Sequence, residues 1–301
     1  MELVKGSLNT FLNAMTYPDK TVYPVASCND KDFQNLMHVY LDAVFYPNIY
    51  QKEEIFRQEG WNYHLEQKEG PLTYNGVVYN EMKGAFSSPD EVLEREIMNH
   101  LFPDTTYGCE SGGDPKNIPD LTYENFLNFH RTYYHPSNSY IYLYGNMDME
   151  EKLAFLDEHY LSHFDYLDVD SVIQEQKAFG ACRDVTLEYP VAENEGEEDN
   201  TYLSYNMVVG NAADSQMAMA FEVLDYALLS APGAPLKQAL LDVKAGKDVY
   251  GSYDDGILQP YFTVIAKGSN PDRKEEFVSV IRQVLGDIVK NGIDKLSLIH
   301  I

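Results

Sequence analysis

The sequence runs Gly76-Val77-Val78-Tyr79-Asn80-Glu81-Met82-Lys83-Gly84-Ala85 at the start of a long helical region. An apolar run here leads directly into one carboxylate, that of Glu81. A carboxylate is costly to bury unless a cation or a hydrogen-bond partner meets it. From the residues alone, two explanations stay open. Glu81 either has such a partner, or it lies near a helix N-terminus where the helix dipole stabilises it.

The residues on both sides of this stretch show strand patterns first and helix patterns afterwards. Apolar residues around a turn at 17–20 predict a pair of strands near the N-terminus. Helical spacing of apolar residues follows, and the expected helix caps are Asp30, Thr122 and Asp148. The elements predicted up to residue 161 are a helix end at 1–8, strands at 9–16, 21–27 and 140–144, the helical region that Glu81 opens, and helices at 30–45, 51–63, 90–101, 122–134 and 148–161.

A second unit then repeats this order of elements. Ser215 is the expected cap of its first long helix. Strands followed by helices, in both halves, predict an α+β fold in which helices pack on one face of an antiparallel sheet. The elements predicted here are strands at 185–191, 202–209, 249–254 and 261–267, and helices at 215–229, from the break at 232–233 to about 245, and at 272–290.

The charge balance excludes several classes of partner. The chain has 48 acidic and 22 basic residues and a formal net charge of −26. Such a surface repels nucleic acid and anionic lipid and attracts basic peptides, although solubility alone also explains it. Cys28, Cys109 and Cys182 are far apart and odd in number, which indicates a reducing compartment and no disulfide framework. No run of about 20 apolar residues is present, so we expect no membrane span.

Two local motifs have part of a site but lack its essential residues. His159 and His163 stand at i,i+4, which puts both imidazoles on one helix face. A zinc hydrolase motif needs a carboxylate between them, but those positions hold Tyr160 and Ser162, so a solvated helix end is the better interpretation. The glycine-rich run at 111–114 lacks the Lys-Ser/Thr pair of a phosphate-binding loop, and we expect it to pass close to another backbone.

Longer blocks of sequence carry more information than these motifs. The blocks are Lys5-Gly6-Ser7-Leu8-Asn9-Thr10-Phe11-Leu12-Asn13-Ala14-Met15-Thr16-Tyr17-Pro18-Asp19, Thr21-Val22-Tyr23-Pro24-Val25-Ala26-Ser27, Tyr40-Leu41-Asp42-Ala43-Val44-Phe45, Gln58-Glu59-Gly60-Trp61, Asn80-Glu81-Met82-Lys83-Gly84, Ser111-Gly112-Gly113-Asp114-Pro115 and Tyr133-Tyr134-His135-Pro136-Ser137-Asn138. In this order they resemble the presequence-protease branch of the pitrilysin/insulinase zinc metallopeptidases. The resemblance extends to about residue 294.

This resemblance implies zinc-dependent peptide hydrolysis. Two His and one Glu then hold the zinc ion, with a water in the fourth position, and the third ligand maps onto Glu81. The two His and the general-base Glu belong to an H-x-x-E-H motif, which we expect upstream of Met1, outside this chain. The resemblance also implies that Asn13, Ala14 and Met15 form the substrate-binding edge, to which extended peptides add by main-chain hydrogen bonds. An ordinary hairpin is the other explanation of that edge.

We therefore predict a piece of a zinc metalloendopeptidase that degrades unstructured peptides and is inactive by itself. Its two pitrilysin-like domains, both incomplete, are expected at 1–165, which lacks the part with H-x-x-E-H, and at 185–295, with a linker at 166–184 and a non-native tail at 296–301. The expected partners are peptide substrates and a missing C-terminal half of the same protein, with no nucleic acid and no membrane, in the cytoplasm. The alternative is a non-catalytic relative that acts as a scaffold or peptide-binding subunit.

Overall fold

The computed structural model describes residues 6–191 and 196–293. The strands are β1 (Asn9–Leu12), β2 (Met15–Thr16), β3 (Thr21–Val22), β4 (Val25–Ser27), β5 (Asn62–His64), β6 (Thr73–Asn75), β7 (Thr201–Val208), β8 (Asp248–Asp254) and β9 (Tyr261–Ser269). The helices are α1 (Asp30–Phe45), α2 (Glu53–Glu59), α3 (Val77–Ala85), α4 (Pro89–Leu101), α5 (Tyr123–Tyr133), α6 (Met149–His159), α7 (Ser215–Asp225), α8 (Pro235–Asp242) and α9 (Lys274–Asn291). A π-helix at Tyr226–Ser230 follows α7.

These elements form two compact units. The first contains the described residues up to Phe86 together with Glu110–Val172, and the second contains Ser87–Cys109 together with the described residues from Ile173 onward. Helices and antiparallel strands occur in both, which confirms the predicted α+β class. None of the described helices combines the length and the apolar character needed to span a membrane.

The first unit begins with a hairpin whose two long strands are each interrupted. β1 pairs with β4 and β2 pairs with β3, both antiparallel, and Tyr17 N donates to Lys20 O at 2.8 Å across the predicted turn. Between the two ladders, Asn13 N donates to Pro24 O at 3.1 Å. The predicted strand pair is therefore confirmed, and the break falls at Asn13 and Ala14.

Helices α1 and α6 pack on each other through polar groups as well as apolar ones. The Tyr160 hydroxyl, at the end of α6, donates to His38 O at 3.1 Å and to Asp42 Oδ1 at 2.9 Å. Lys152 is buried and lies 3.3 Å from Asp30 Oδ1. The cap of α1 is Asn29, whose Oδ1 accepts from Asp32 N at 3.0 Å, so the predicted cap Asp30 is wrong by one residue.

The second unit is built on a three-stranded antiparallel sheet in the order β7-β9-β8. Its strands confirm the predictions at 202–209, 249–254 and 261–267. Alternate residues of β9 face two different apolar clusters: Phe262 and Val264 contact residues of α8 and α9, whereas Tyr261 and Ile265 contact residues of α4. The central strand is therefore buried on both faces, with helices on each.

Asp90, in the first turn of α4, binds α4 to this sheet. Its Oδ2 accepts from Lys267 Nζ at 2.8 Å, and its Oδ1 accepts from the Tyr250 hydroxyl at 3.1 Å. The hydrogen bond from Lys267 is the main reason that the pKa of the Asp90 carboxyl lies below its usual value. Since Lys267 and Tyr250 are on different strands, one carboxylate joins α4 to two strands of the sheet.

Several predicted elements differ from the structure. Neither 140–144 nor 185–191 is a strand among the described residues, since neither has a ladder partner there. The helix predicted at 51–63 ends at Glu59, and the one predicted at 215–229 becomes a π-helix at Tyr226 and is capped by Asp214 instead of Ser215. Of the helix end predicted at 1–8, residues 1–5 lie outside the described residues and 6–8 are not helical.

His130, on α5, joins three parts of the first unit. Its Nε2 lies 2.8 Å from Val44 O, and because a carbonyl can only accept, Nε2 carries the proton. In the neutral ring Nδ1 therefore accepts from the Tyr50 hydroxyl, 2.8 Å away. The ring also stacks on Tyr134, with ring centroids 4.7 Å apart. Burial lowers the pKa of His130 from its ordinary value of 6.5, while the bond to Val44 O opposes that effect.

We expect the first unit to lose stability as the pH falls below about 6.5, the ordinary pKa of histidine. Because the folded pKa of His130 lies below that value, the unfolded chain binds the proton first, so the stabilisation is complete above about pH 6.5 and is lost as the pH falls through the folded pKa. Unfolding midpoints of His130→Asn should depend less on pH between about 5 and 7 than those of the unchanged chain. His163→Asn is the matched control, since His163 is exposed. Equal pH dependence of the His130 variant and the unchanged chain would contradict this role.

Candidate functional site

Helix α3, which carries Glu81, begins at a glycine that no other residue can replace without strain. Gly76 has φ +152°, and a Cβ at this position would lie 2.2 Å from Gly60 O. The close approach lets Tyr79 N donate to Gly60 O at 3.3 Å. The start of α3 is thus fixed directly against the backbone at Gly60 and Trp61.

The inner face of α3 packs on an aromatic cluster. Tyr79 and Met82, three residues apart, contact the buried residues Phe56, Trp61 and Ile118. The Trp61 indole N–H donates to Leu121 O at 2.8 Å, which holds the cluster to the segment before α5. Two contacts at helical spacing fix the rotation of α3 about its axis.

The outer face of α3 is exposed and carries Glu81. Val77 and Val78, which precede Glu81 by four and three residues, are 52% and 37% exposed, and Glu81 itself is exposed. The cost of burying a carboxylate does not arise in this arrangement. The helix instead presents one carboxylate beside two apolar side chains, on the side away from the aromatic cluster.

The glycine-rich run at 111–114 supports α3 from behind. A Cβ at Gly112 would lie 2.3 Å from Met82 Sδ, so this loop passes directly against the residue that follows Glu81. Asp114 closes the loop, because its Oδ1 accepts from Lys116 N at 2.8 Å and its carbonyl accepts from Ile118 N at 2.9 Å. The sequence predicted a close passage to another backbone, but the nearest atoms to this loop belong to the Met82 side chain, so the predicted partner is wrong.

The predicted substrate edge lies at the break between β1 and β2. Asn13 and Ala14 are exposed and Met15 is half-buried. Asn13 Oδ1 accepts from Ala14 N at 2.9 Å, which fixes the side chain along the strand. Within the described residues β1 and β2 each pair on one side only, so their other edge is open to an extended peptide. The structure thus places this edge and Glu81 in the same unit, both in contact with solvent.

The described residues do not by themselves fit a zinc ion. Catalytic zinc needs three protein ligands, and residues 6–191 and 196–293 contain no group of three or more His, Cys, Asp or Glu side chains that could hold a metal. The His159 ring packs against Phe155, with centroids 4.7 Å apart. Glu81 can therefore supply only one of the ligands of a zinc site. The remaining ligands would come from outside this part of the chain.

Two residues that position α3, Gly76 and Gly112, were not predicted from the sequence to have a role in the site. Gly76 stands at the start of a helix that has no side-chain cap, and that combination was the available signal for a backbone of positive φ. Gly112 lies in a run that we interpreted only as a close passage. Its contact with Met82 depends on the fold of the whole unit, and no local pattern indicates it.

Comparison with known proteins identifies the family. Residues 120–299 match the family model described as the peptidase M16 inactive domain. Protein HypA of Clostridium perfringens is 56% identical over 295 residues, which are 98% of this chain and 30% of that protein. Presequence protease 1, chloroplastic/mitochondrial, of Arabidopsis thaliana is 42% identical over 298 residues, 98% of this chain and 28% of that protein. The chain belongs to the M16 peptidase family, in its presequence protease branch.

A solved structure supports the fold. The crystal structure of pitrilysin superposes with a TM-score of 0.59 at 16% sequence identity, over 98% of this chain and 30% of that one. This likeness confirms the predicted pitrilysin-like architecture. The chain spans under a third of the length of the curated relatives described above.

Proposed function

We propose that the chain is a segment of a zinc metalloendopeptidase that degrades unstructured peptides, in which Glu81 is the third zinc ligand. The observation that carries the proposal is the position of this carboxylate. It stands exposed on the outer face of α3, beside Val77 and Val78, while Gly76 and Met82 hold the helix from behind. A metal ligand needs such support, because its own direction must not vary.

The other parts of the site would lie outside residues 1–301. Two His ligands and the general-base Glu are expected in an H-x-x-E-H motif upstream, and a C-terminal half of the same polypeptide is the expected partner. The length of the curated relatives, more than three times that of this chain, supports both expectations. The domain boundaries at 1–165 and 185–295 and the cytoplasmic location remain predictions.

Peptide substrates would bind at Asn13, Ala14 and Met15. The open edge of β1 and β2 offers main-chain groups to an extended peptide, and the small side chain of Ala14 lets a second backbone approach. The net charge of −26 favours basic peptides over acidic ones. A scaffold or peptide-binding subunit would use the same edge without the metal.

The isolated chain tests the proposal that the site is incomplete. We expect residues 1–301, purified and incubated with zinc, to retain less than about 0.1 zinc ion per chain and to leave unstructured peptides uncleaved. The complete protein that the gene encodes, called the natural gene product below, should bind one zinc ion and cleave those peptides. A chelator should abolish the cleavage. One zinc ion per isolated chain together with cleavage would contradict the proposal. A natural gene product without zinc would favour the scaffold.

A further inference from the structure

The segment 140–144 has five large side chains in a row without a strand partner, and four of them are exposed while Leu143 is half-buried. Tyr140, Tyr142 and Tyr144 are 103%, 85% and 84% exposed, and Ile141 is 40% exposed. Within the described residues this segment belongs to no ladder. Contiguous exposed apolar surface of this kind marks an interaction site.

The second unit shows what such a sequence does when it has partners. The strand β9 contains an uninterrupted run of mainly apolar residues at 261–266, ends near Gly268, pairs on both sides and is buried on both faces. The segment 140–144 is likewise an uninterrupted run, Tyr-Ile-Tyr-Leu-Tyr, and ends at Gly145. Strands with large apolar residues on both faces are typical of the middle of a sheet.

The segment also lacks the charged side chains and the proline that protect an exposed strand. Proteins shield free edges with charged side chains, proline or bulges. Residues 139–147 contain no charged residue and no proline, in a chain with 70 charged residues, the sum of 48 acidic and 22 basic ones. Such a run is suited to burial between neighbouring strands.

We propose that segment 140–144 is a central strand of a sheet whose neighbouring strands belong to the same polypeptide but lie outside residues 1–301. The length of the relatives supports this partner, since this chain spans only 30% and 28% of two of them. A second copy fits less well, because it would bring two surfaces of net charge −26 together. The proposal rests on the proposed function only in that the chain is part of a longer protein.

Hydrogen exchange on the natural gene product tests this proposal. In the isolated chain, amides of peptides that cover 139–145 should exchange at the rate of unfolded peptides. In the natural gene product they should be protected by at least about 100-fold. Peptides from β9 are the internal control and should be protected in both proteins. Fast exchange at 139–145 in the natural gene product, whatever its length, would overturn the proposal.

A pair of matched proline substitutions separates strand pairing from general damage. Tyr142→Pro removes a main-chain donor from the proposed strand, whereas Tyr166→Pro makes the same change in another unpaired segment, at 83% exposure. Both should leave the melting temperature of the isolated chain unchanged. Only Tyr142→Pro should lower the melting temperature of the natural gene product, by about 5 °C or more. Equal effects of the two variants would overturn the proposal.

Two further outcomes distinguish the partner and the function. Protection at 139–145 that rises with the concentration of the isolated chain would assign the strand to a second copy and overturn the proposal. Protection in a natural gene product that binds no zinc would sustain the strand proposal and refute the proposed function. Zinc binding without protection at 139–145 would sustain the proposed function and refute the strand proposal.

Discussion

Replacing Glu81 with Gln in the natural gene product is expected to lower its zinc affinity by at least about 100-fold and to abolish peptide cleavage. The amide has the size of the carboxylate but lacks the negative charge that binds the ion. Because Glu81 is exposed, the same change should alter the stability of the isolated chain by less than about 0.5 kcal/mol. Zinc content and unfolding curves of the two proteins measure both effects.

Glu150→Gln is the matched control for this substitution. Glu150 is an exposed carboxylate in the first turn of α6, in the same unit. It should change neither zinc content nor cleavage. If Glu81→Gln kept its zinc ion and its activity, Glu81 would be no more than an exposed carboxylate in the middle of α3, and the proposed site would be wrong.

Gly76→Ala is expected to destabilise the first unit by about 3 kcal/mol or more. The backbone at Gly76 has φ +152°, and the added Cβ would lie 2.2 Å from Gly60 O, so α3 must shift. Trp61 is the single tryptophan of the sequence and lies at this contact, since the Cβ would also come within 2.8 Å of its Cα. Tryptophan fluorescence during denaturant unfolding therefore reports on the first unit directly.

Gly84→Ala is the control on the same helix. Nothing lies within 4 Å of a Cβ at Gly84, which is the second-to-last residue of α3. Alanine favours helix over glycine, so this variant should stabilise the unit by about 0.5–1 kcal/mol. Opposite signs for the two variants are the expected result. A neutral effect of Gly76→Ala would show that α3 can begin elsewhere, and the argument that Gly76 positions Glu81 would fail.

Local sequence patterns were sufficient to predict the strands and helix caps that depend mainly on neighbouring residues. The strands predicted at 202–209, 249–254 and 261–267 agree with the sheet of the second unit to within two residues at each end. Thr122 and Asp148 were predicted as caps, and their side chains do accept from Asn125 N and Glu151 N at 3.1 Å. The cap at Asp30 failed because Asn29, one residue earlier, has the same capacity.

Elements that depend on distant partners could not be predicted in this way. The run at 140–144 has the composition of a strand, but a strand exists only where a neighbour supplies the hydrogen bonds. The position of α4 in the second unit depends on Asp90, whose partner Lys267 is 177 residues away in the sequence. No local pattern contains that information.

The candidate site likewise has some residues that the sequence indicated and others whose role depends on contacts distant in sequence. Glu81 and the edge at Asn13, Ala14 and Met15 came from the family resemblance, and the residues alone left Glu81 open between two explanations. The structure adds that the carboxylate is exposed and that Gly76 and Gly112 hold its helix. Both contacts join parts of the chain that are distant in sequence, since Gly76 meets the backbone of Gly60 and Gly112 meets the Met82 side chain.

The most direct test of the central claim is the nucleotide sequence upstream of the codon for Met1. The account predicts an open reading frame that continues upstream and encodes H-x-x-E-H within about 20 residues of Met1. Glu81 would then complete a zinc site whose other ligands precede it in the same polypeptide. A stop codon directly upstream, with a start at Met1 and no such motif, would contradict the account.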